Sequence, residues 1–244
     1  MDLQHALRLI QDPHAAIGAI GAFSALLGLA LVLHAVRTPL FIGLVGELRI
    51  RMITRFGLDR SVYVALHDVT LAMPDGTTQI DHILVSRFGV FVIETKNMKG
   101  RIRGRPGDRM WMQCFVRRRH AFLNPMWQND RHLKAVESVL GLDGSRLHSI
   151  VVFVGSAAFD QPMPANVVDL RDFARTVKAR TTVLMSEAEA QEAVRRLGRD
   201  RIPRWMARWV HLKDLRRRRA RAAASRNAGS VPIVRTSRVP QARL

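Results

Sequence analysis

The sequence predicts an α/β domain built on a short mixed sheet. One apolar helix precedes it, and short helices and a basic tail follow. Three observations carry this. Residues 79–96, QIDHILVSRFGVFVIETK, read as two strands with a tight turn at Arg87-Phe88-Gly89. A glycine in a short loop between β-rich runs signals a hairpin. Residues 124–140 read as a helix, with Asn124 as N-cap, Pro125 in the first position and Gly141 as the stop. Residues 149–154, SIVVFV, are almost continuously apolar, the mark of a strand covered on both faces.

Taken in order, the chain begins with a short polar stretch. Residues 15–33 hold no ionisable side chain, and the apolar run extends to Val36. As a helix it is long enough to span about 30 Å of hydrocarbon. Gly18, Gly21 and Gly28 suit a membrane helix better than a soluble one. Arginines 37, 49, 51 and 55 follow, while the N-terminal flank is slightly acidic. The positive-inside rule then places the N-terminus outside and the rest in the cytoplasm, as a single-pass protein of the inner (cytoplasmic) membrane with its span at about 15–36. A signal peptide has a basic start and a shorter core, whereas this chain has Asp2 and a longer one.

Residues 41–55 read as an amphipathic helix. Leu44, Leu48 and Met52 fall on one stripe, the face that a surface helix turns to its core. Glu47 neighbours it, and either reaches the site described below or pairs in solvent with Arg51, four residues on. Residues 62–66 begin a strand that bends at His67-Asp68 and continues over 69–73. Pro74-Asp75-Gly76 is a turn, so the hairpin completes a three-stranded meander. Residues 110–116 are a further strand carrying Trp111 and Cys114. Beyond Gly155 come a short helix (171–179), a short strand (182–185) and a helix opened by a Ser186–Glu189 capping box and ending near Gly198. Ile202, Trp205, Met206 and Trp209 recur at helical spacing among arginines, and residues 216–244 have the composition of a disordered basic tail. The divisions are an N-terminal segment (1–37), a main domain (38–185), C-terminal helices (186–215) and the tail (216–244).

The chemistry sits on the hairpin. Residues two apart in a strand share a face, so Glu94 and Lys96 do. With Ser86 opposite Gly89, Asp81 falls opposite Glu94. With the loop at Phe88-Gly89, Asp81 falls opposite Lys96. Either register gathers the three charges, directly opposed residues being roughly 5 Å apart at Cβ, and an odd-length loop would scatter them. Two close carboxylates repel unless a cation lies between them. Mg²⁺ or Mn²⁺ answers that need, since Mg²⁺ requires only one or two carboxylates and leaves positions for water and phosphate oxygens. The adjacent lysine supplies a point charge for the phosphate. This is the minimal set for metal-assisted phosphodiester hydrolysis.

The run IDHILVSRFGVFVIETKNMKG resembles the nuclease-related domain (NERD) family of the restriction-endonuclease-like, PD-(D/E)xK superfamily. Gly46-Glu47 is similar to a Gly-Glu that the family carries on a helix before its sheet. Asn124-Pro125, with Gln128-Asn129 and His132, is similar to its N-P-x-x-Q-N-x-x-H. The resemblance covers about 38–155. It implies an αβββαβ core, Asp81 and Glu94 as metal ligands, Lys96 as the catalytic lysine, and Glu47 and Gln128 as further site members, with His132 in support. His82 points away from Asp81 and is read as structural.

The chain carries 39 Lys+Arg against 20 Asp+Glu, a formal charge of +19, which implies a polyanionic partner, nucleic acid or anionic lipid. Arg101, Arg103 and Arg105 alternate with Ile102, Gly104 and Pro106 along one edge, with Lys99 before them. They either hold phosphates without base preference or blunt an edge strand. The single cysteine, Cys114, rules out an internal disulfide and a cysteine zinc cluster, and so the zinc ribbon that some NERD proteins carry. The expected function is a membrane-anchored, metal-dependent nuclease acting on DNA or RNA. The alternatives are a non-catalytic adaptor that holds nucleic acid at the membrane, and a lipid-binding surface protein served by the basic C-terminus.

Overall fold

The computed structural model describes residues 13–203. Two helices lead in, α1 (Pro13–Ala35) and α2 (Pro39–Phe56). Three antiparallel strands follow: β1 (Val64–Met73), β2 (Gly76–Ser86) and β3 (Gly89–Lys96). Then come β4 (Gly100–Arg103), β5 (Met110–Cys114), β6 (Arg119–Leu123) and α3 (Pro125–Leu140). The remainder is β7 (Leu147–Phe153), β8 (Ala157–Phe159), β9 (Val167–Asp169), α4 (Leu170–Lys178) and α5 (Glu187–Asp200). The tryptophan-bearing repeat past Ile202 and the basic tail lie outside the described residues.

The result is a mixed α/β architecture. The main sheet runs β1-β2-β3-β7-β9, with β7 parallel to both β3 and β9. α3 and α5 cover one face, through Val136, Leu140, Ala193 and Leu197 on Ile83, Val85, Val90 and Val92. α2 and α4 cover the other, through Ile50, Phe173 and Val177 on Leu84, Phe91, Ile93 and Val152. β7 is thus apolar on both sides, as its sequence requires. The order α2, β1 to β3, α3, β7 follows the anticipated αβββαβ pattern. A second sheet, β6-β5-β4-β8, is inserted around it and packs through Ile102 and Trp111 on Val151 and Phe153.

The hairpin takes the first anticipated register, with Ser86 paired to Gly89 around Arg87-Phe88. Gly89 is required there. Its φ is +116°, and a Cβ would lie 2.7 Å from the Arg146 carbonyl oxygen. α3 starts and stops at the expected residues. Asn124 caps it by accepting from the Met126 N–H at 2.9 Å, and Gly141 ends it at φ 64°. The capping box of Ser186 and Glu189 is formed.

Several expectations are overturned. In α2 the stripe of Leu44, Leu48 and Met52 faces outward, more than half exposed, while Gly46, Ile50 and Thr54 face the sheet. Gly46 explains the rotation. A Cβ there would meet Asn97 Cβ at 2.8 Å and Val154 Cγ2 at 2.9 Å, so only glycine lets the helix axis come this close. β4 is not an edge, because β5 and β8 flank it and β6 and β8 are the edges. Residues 182–185 are not a strand: the N–H groups of Leu184 and Met185 both donate to Arg87 O and tie this segment to the hairpin turn. The expected bend in β1 is present, with Asp68 at φ 52° and stepped over in the ladder, and the strand continues through it to Met73. The apolar stretch of the N-terminal segment forms a helix, α1, 23 residues without Asp, Glu, Lys or Arg. Its side chains are described without a gap only from Ile20, and among the described residues no helix is long and apolar enough to cross a membrane.

Asn124 also fastens the second sheet to α3, since its Nδ2 donates to Pro106 O at 2.9 Å and Asp108 O at 2.7 Å. Asn124→Ala removes a cap and leaves two carbonyls without their donor, at a cost of about 2–3 kcal/mol. Urea denaturation reads this directly, and a loss under about 0.5 kcal/mol, the scale of an ordinary surface change, would contradict it.

Candidate active site

Glu94 is the centre of the site. It lies on β3, only 2 % exposed, on the face that α3 covers. A carboxylate cannot be buried there without partners, and it has two. Lys96 Nζ donates to Oε1 at 2.5 Å, and His132 Nε2 donates to Oε2 at 3.0 Å. Each partner is held in turn. Lys96 Nζ also donates to Gln128 Oε1 at 2.9 Å, and His132 Nδ1 hydrogen-bonds Thr78 Oγ1 at 2.7 Å. Gln128 and His132 lie one helical turn apart on α3, so one helix face reaches both ends of the carboxylate. A continuous chain of hydrogen bonds therefore runs Thr78–His132–Glu94–Lys96–Gln128. Burial pushes Glu94 upward, but the His132 hydrogen bond and the Lys96 charge outweigh it and hold the acid below its usual range.

Asp81 joins from β2 by a route that alternation does not describe. The β1–β2 ladder pairs His67 with His82 and Val69 with Ile80, stepping over Asp68 and Asp81. Ile80 and Ile83 both belong to the α3-side core although they are three residues apart, where strict alternation would oppose them. Both strands thus slip phase at the aspartates. The β2–β3 ladder ends at His82–Ile93, one step short of Asp81, and Asp81 Oδ2 instead accepts the Thr95 N–H at 2.8 Å. Loss of water, then the Glu94 charge, pushes Asp81 up to about 8; the Thr95 hydrogen bond opposes this and the Glu47 charge adds to it. Glu47 follows Gly46 on α2, so the close approach that the glycine permits is what brings this carboxylate within electrostatic reach.

The structure therefore brings Asp81, Glu94, Lys96 and Gln128 together, with Glu47 acting on Asp81 through its charge. Among the described residues no group of three or more His, Cys, Asp or Glu is arranged to hold a metal ion. Two carboxylates suffice for Mg²⁺, and the donor set fits such an ion. Asp81 retains a proton first because it is buried and then because the Glu94 charge stands beside it, and a divalent cation would offset both. Two buried groups were given no role from the sequence. Asn129, fully buried, donates from Nδ2 to Val92 O at 2.9 Å and Ser149 Oγ at 2.8 Å, and so locks α3 to β3 and β7. The signal was its place beside Gln128 in the run shared with the NERD family. Thr78, the polar partner of His132, carried no signal. His82 is buried against His67, Nδ1 to Nδ1 at 2.8 Å, away from the carboxylates.

Arg101, Arg103 and Arg105 are exposed and alternate with buried Ile102 and Gly104 as expected, but β4 is not an edge. Arg101 and Arg103 both ion-pair with Asp160, at 2.6 and 2.8 Å, and their side chains stay largely exposed. Arg105 and Lys99 are exposed as well. Two guanidinium groups on one carboxylate leave a surplus positive charge on this face of β4.

Comparison with known proteins shows what this region of the chain is similar to. Residues 42–154 match the model of the nuclease-related domain, NERD. An uncharacterized protein of Bacillus anthracis is 44 % identical over 101 residues, 41 % of this chain and 47 % of that protein. The chain thus spans about half the length of this relative. No solved structure matches the chain.

The protonated Asp81 gives a pH signature. The unfolded chain releases this proton near 3.8, as an ordinary aspartate does, the folded chain only at about 8. Folding therefore takes up a proton in between, and this group destabilises the fold progressively as pH rises from about 4 to 8. In metal-free buffer the stability advantage of Asp81→Asn over the unsubstituted chain grows across that interval and is flat above it. Denaturation at several pH values measures the difference, and a pH-independent difference would contradict the assignment.

Proposed function

We propose, from the match of residues 42–154 to the nuclease-related domain, that this chain is a metal-dependent nuclease of restriction-endonuclease-like fold, anchored to the cytoplasmic membrane. The observation that carries the reading is the pair Asp81 and Glu94 with Lys96 against the second carboxylate. Asp81, once deprotonated, and Glu94 would hold Mg²⁺ or Mn²⁺, which when bound would supply polarisation of a DNA or RNA phosphodiester and a water of lowered pKa. Glu94 is kept ionised and in one orientation by His132. Lys96 sets a positive charge where negative charge grows on the phosphate, and Gln128 fixes its ammonium. Glu47 adds negative charge near Asp81 and favours cation entry. Arg101, Arg103, Arg105 and Lys99 offer phosphate contacts without base preference.

The membrane part of the proposal is supported by α1, which carries no acidic residue, lysine or arginine over 23 residues and leaves large apolar side chains such as Phe23, Leu26 and Leu31 exposed. The basic segment after it favours a cytoplasmic catalytic domain, and the arginine-rich C-terminus is a further contact for anionic lipid.

A second reading has its own support. Lys96 is already engaged by both Glu94 and Gln128, and a closed network of this kind also suits a non-catalytic adaptor that holds nucleic acid at the membrane.

Full-length protein incubated with plasmid and Mg²⁺ or Mn²⁺ separates them. Nicking is expected, abolished by chelation and reduced at least about 10²-fold in Asp81→Ala, Glu94→Ala and Lys96→Ala. Glu94→Ala also loses metal affinity by calorimetry. Binding of plasmid without any cutting in the unsubstituted protein identifies the adaptor, and cutting that survives all three substitutions rejects this site.

A further inference from the structure

α2 is amphipathic in the wrong sense for a helix packed on a domain. Its inner face is Gly46, Ile50 and Thr54, and its outer face is Phe41, Leu44, Leu48, Met52 and Phe56, between 41 % and 72 % exposed. These five lie within one band along the helix, over about 22 Å at 1.5 Å per residue. Among the described residues nothing covers the band. Large apolar side chains in a continuous exposed row mark an interaction surface.

Charge indicates what occupies it. Arg37 and Arg55 are exposed on or next to the band, and Arg55 lies 5.5 Å above the Phe56 ring, while Arg49 Nη1 donates to Val154 O on the domain side. The helix has one acidic residue, Glu47, which is turned toward Asp81. A second copy meeting this face would set arginine against arginine with no acid between them. The arginine-rich C-terminal segment of the chain would meet the same repulsion. An anionic phospholipid surface has the opposite charge and takes up the apolar side chains. Continuity points the same way. Thr38 donates its N–H to Ala35 O, only three residues separate α1 from the outward-facing α2, and α1 exposes apolar side chains from Ile20 to Leu33.

We infer that the outer face of α2 lies in the plane of an anionic membrane surface and sets the orientation of the domain on it. Gly46 and Glu47 then face away from the lipid, and the carboxylate site opens to the aqueous side. The inference holds whether α1 crosses the bilayer or lies along it, and it does not depend on the nuclease reading.

The test uses the full chain with Cys114→Ser and, separately, Leu48→Cys, Met52→Cys or Gln191→Cys on the exposed side of α5. Each is labelled with a polarity-sensitive fluorophore and reconstituted in phosphatidylcholine–phosphatidylglycerol vesicles. All three positions are exposed, so the fold is kept, which unchanged circular dichroism verifies. Lipid-borne nitroxide is expected to quench the labels at 48 and 52 several-fold more than the label at 191, with aqueous iodide giving the reverse order. Iodide quenching at 48 and 52 equal to that at 191 overturns the inference. Labels at 48 and 52 shielded from both quenchers also overturn it, and assign the face to a second copy or to another part of this chain.

Discussion

A negative charge placed inside the fold is the constraint from which the rest follows. Isolated, the Glu94 carboxylate would cost several kcal/mol, and breaking a buried ion pair is typically worth about 3–5 kcal/mol. Lys96 and His132 offset that cost only if α3 is docked at one rotation and one height. The helix is accordingly fixed at its start by Asn124, along its length by Asn129, and at its end by Gly141. Asn129 bridges β3 and β7, so the parallel pairing at the centre of the sheet and the support of the site depend on the same side chain. Stability and site geometry cannot be separated here: a helix that slips by one turn exchanges Gln128 for His132 and leaves the carboxylate without half of its partners.

Asp81 is the complementary case, an acid kept near the site at the expense of regular pairing. Both β1 and β2 give up one step of alternation to present Asp68 and Asp81. Asp68 adopts a left-handed backbone, φ 52°, and pairs with Arg51 of α2. Asp81 turns its carboxylate onto the β3 backbone. Strain of this kind costs of order 1–3 kcal/mol and concentrates where function demands it. The two carboxylates end in opposite states, Glu94 ionised and Asp81 protonated at neutral pH. Pairs of acids driven apart in this way are a feature of catalytic sites, and a hard cation would reverse the state of only one of them.

Local chemistry was legible in the sequence, and long-range partnership was not. The hairpin turn, both caps of α3, the Ser186 capping box and the buried β7 follow from residue types at fixed offsets. The shared side of Gln128 and His132 follows from helical period alone. Period also found the stripe of α2, but it cannot say which medium a stripe faces, and Gly46 decided that through contact with Asn97 and Val154, fifty and more residues away. The arginines of β4 suggested an edge because Asp160, which binds two of them, lies almost sixty positions further on. Residues 182–185 had strand-forming side chains, but their N–H groups were claimed by Arg87. Asp81 reached the expected neighbourhood by a phase slip that no periodic reading contains.

The account turns on whether Asp81 and Glu94 hold one divalent ion between them. Crystals of the full chain grown with Mn²⁺, measured at the manganese absorption edge, address this without reference to activity. The account predicts a single anomalous peak within about 2.0–2.5 Å of an oxygen of each carboxylate, with the peak missing in Asp81→Asn. An ion bound elsewhere, or a saturating Mn²⁺ concentration that leaves Asp81 and Glu94 without a peak, would contradict it.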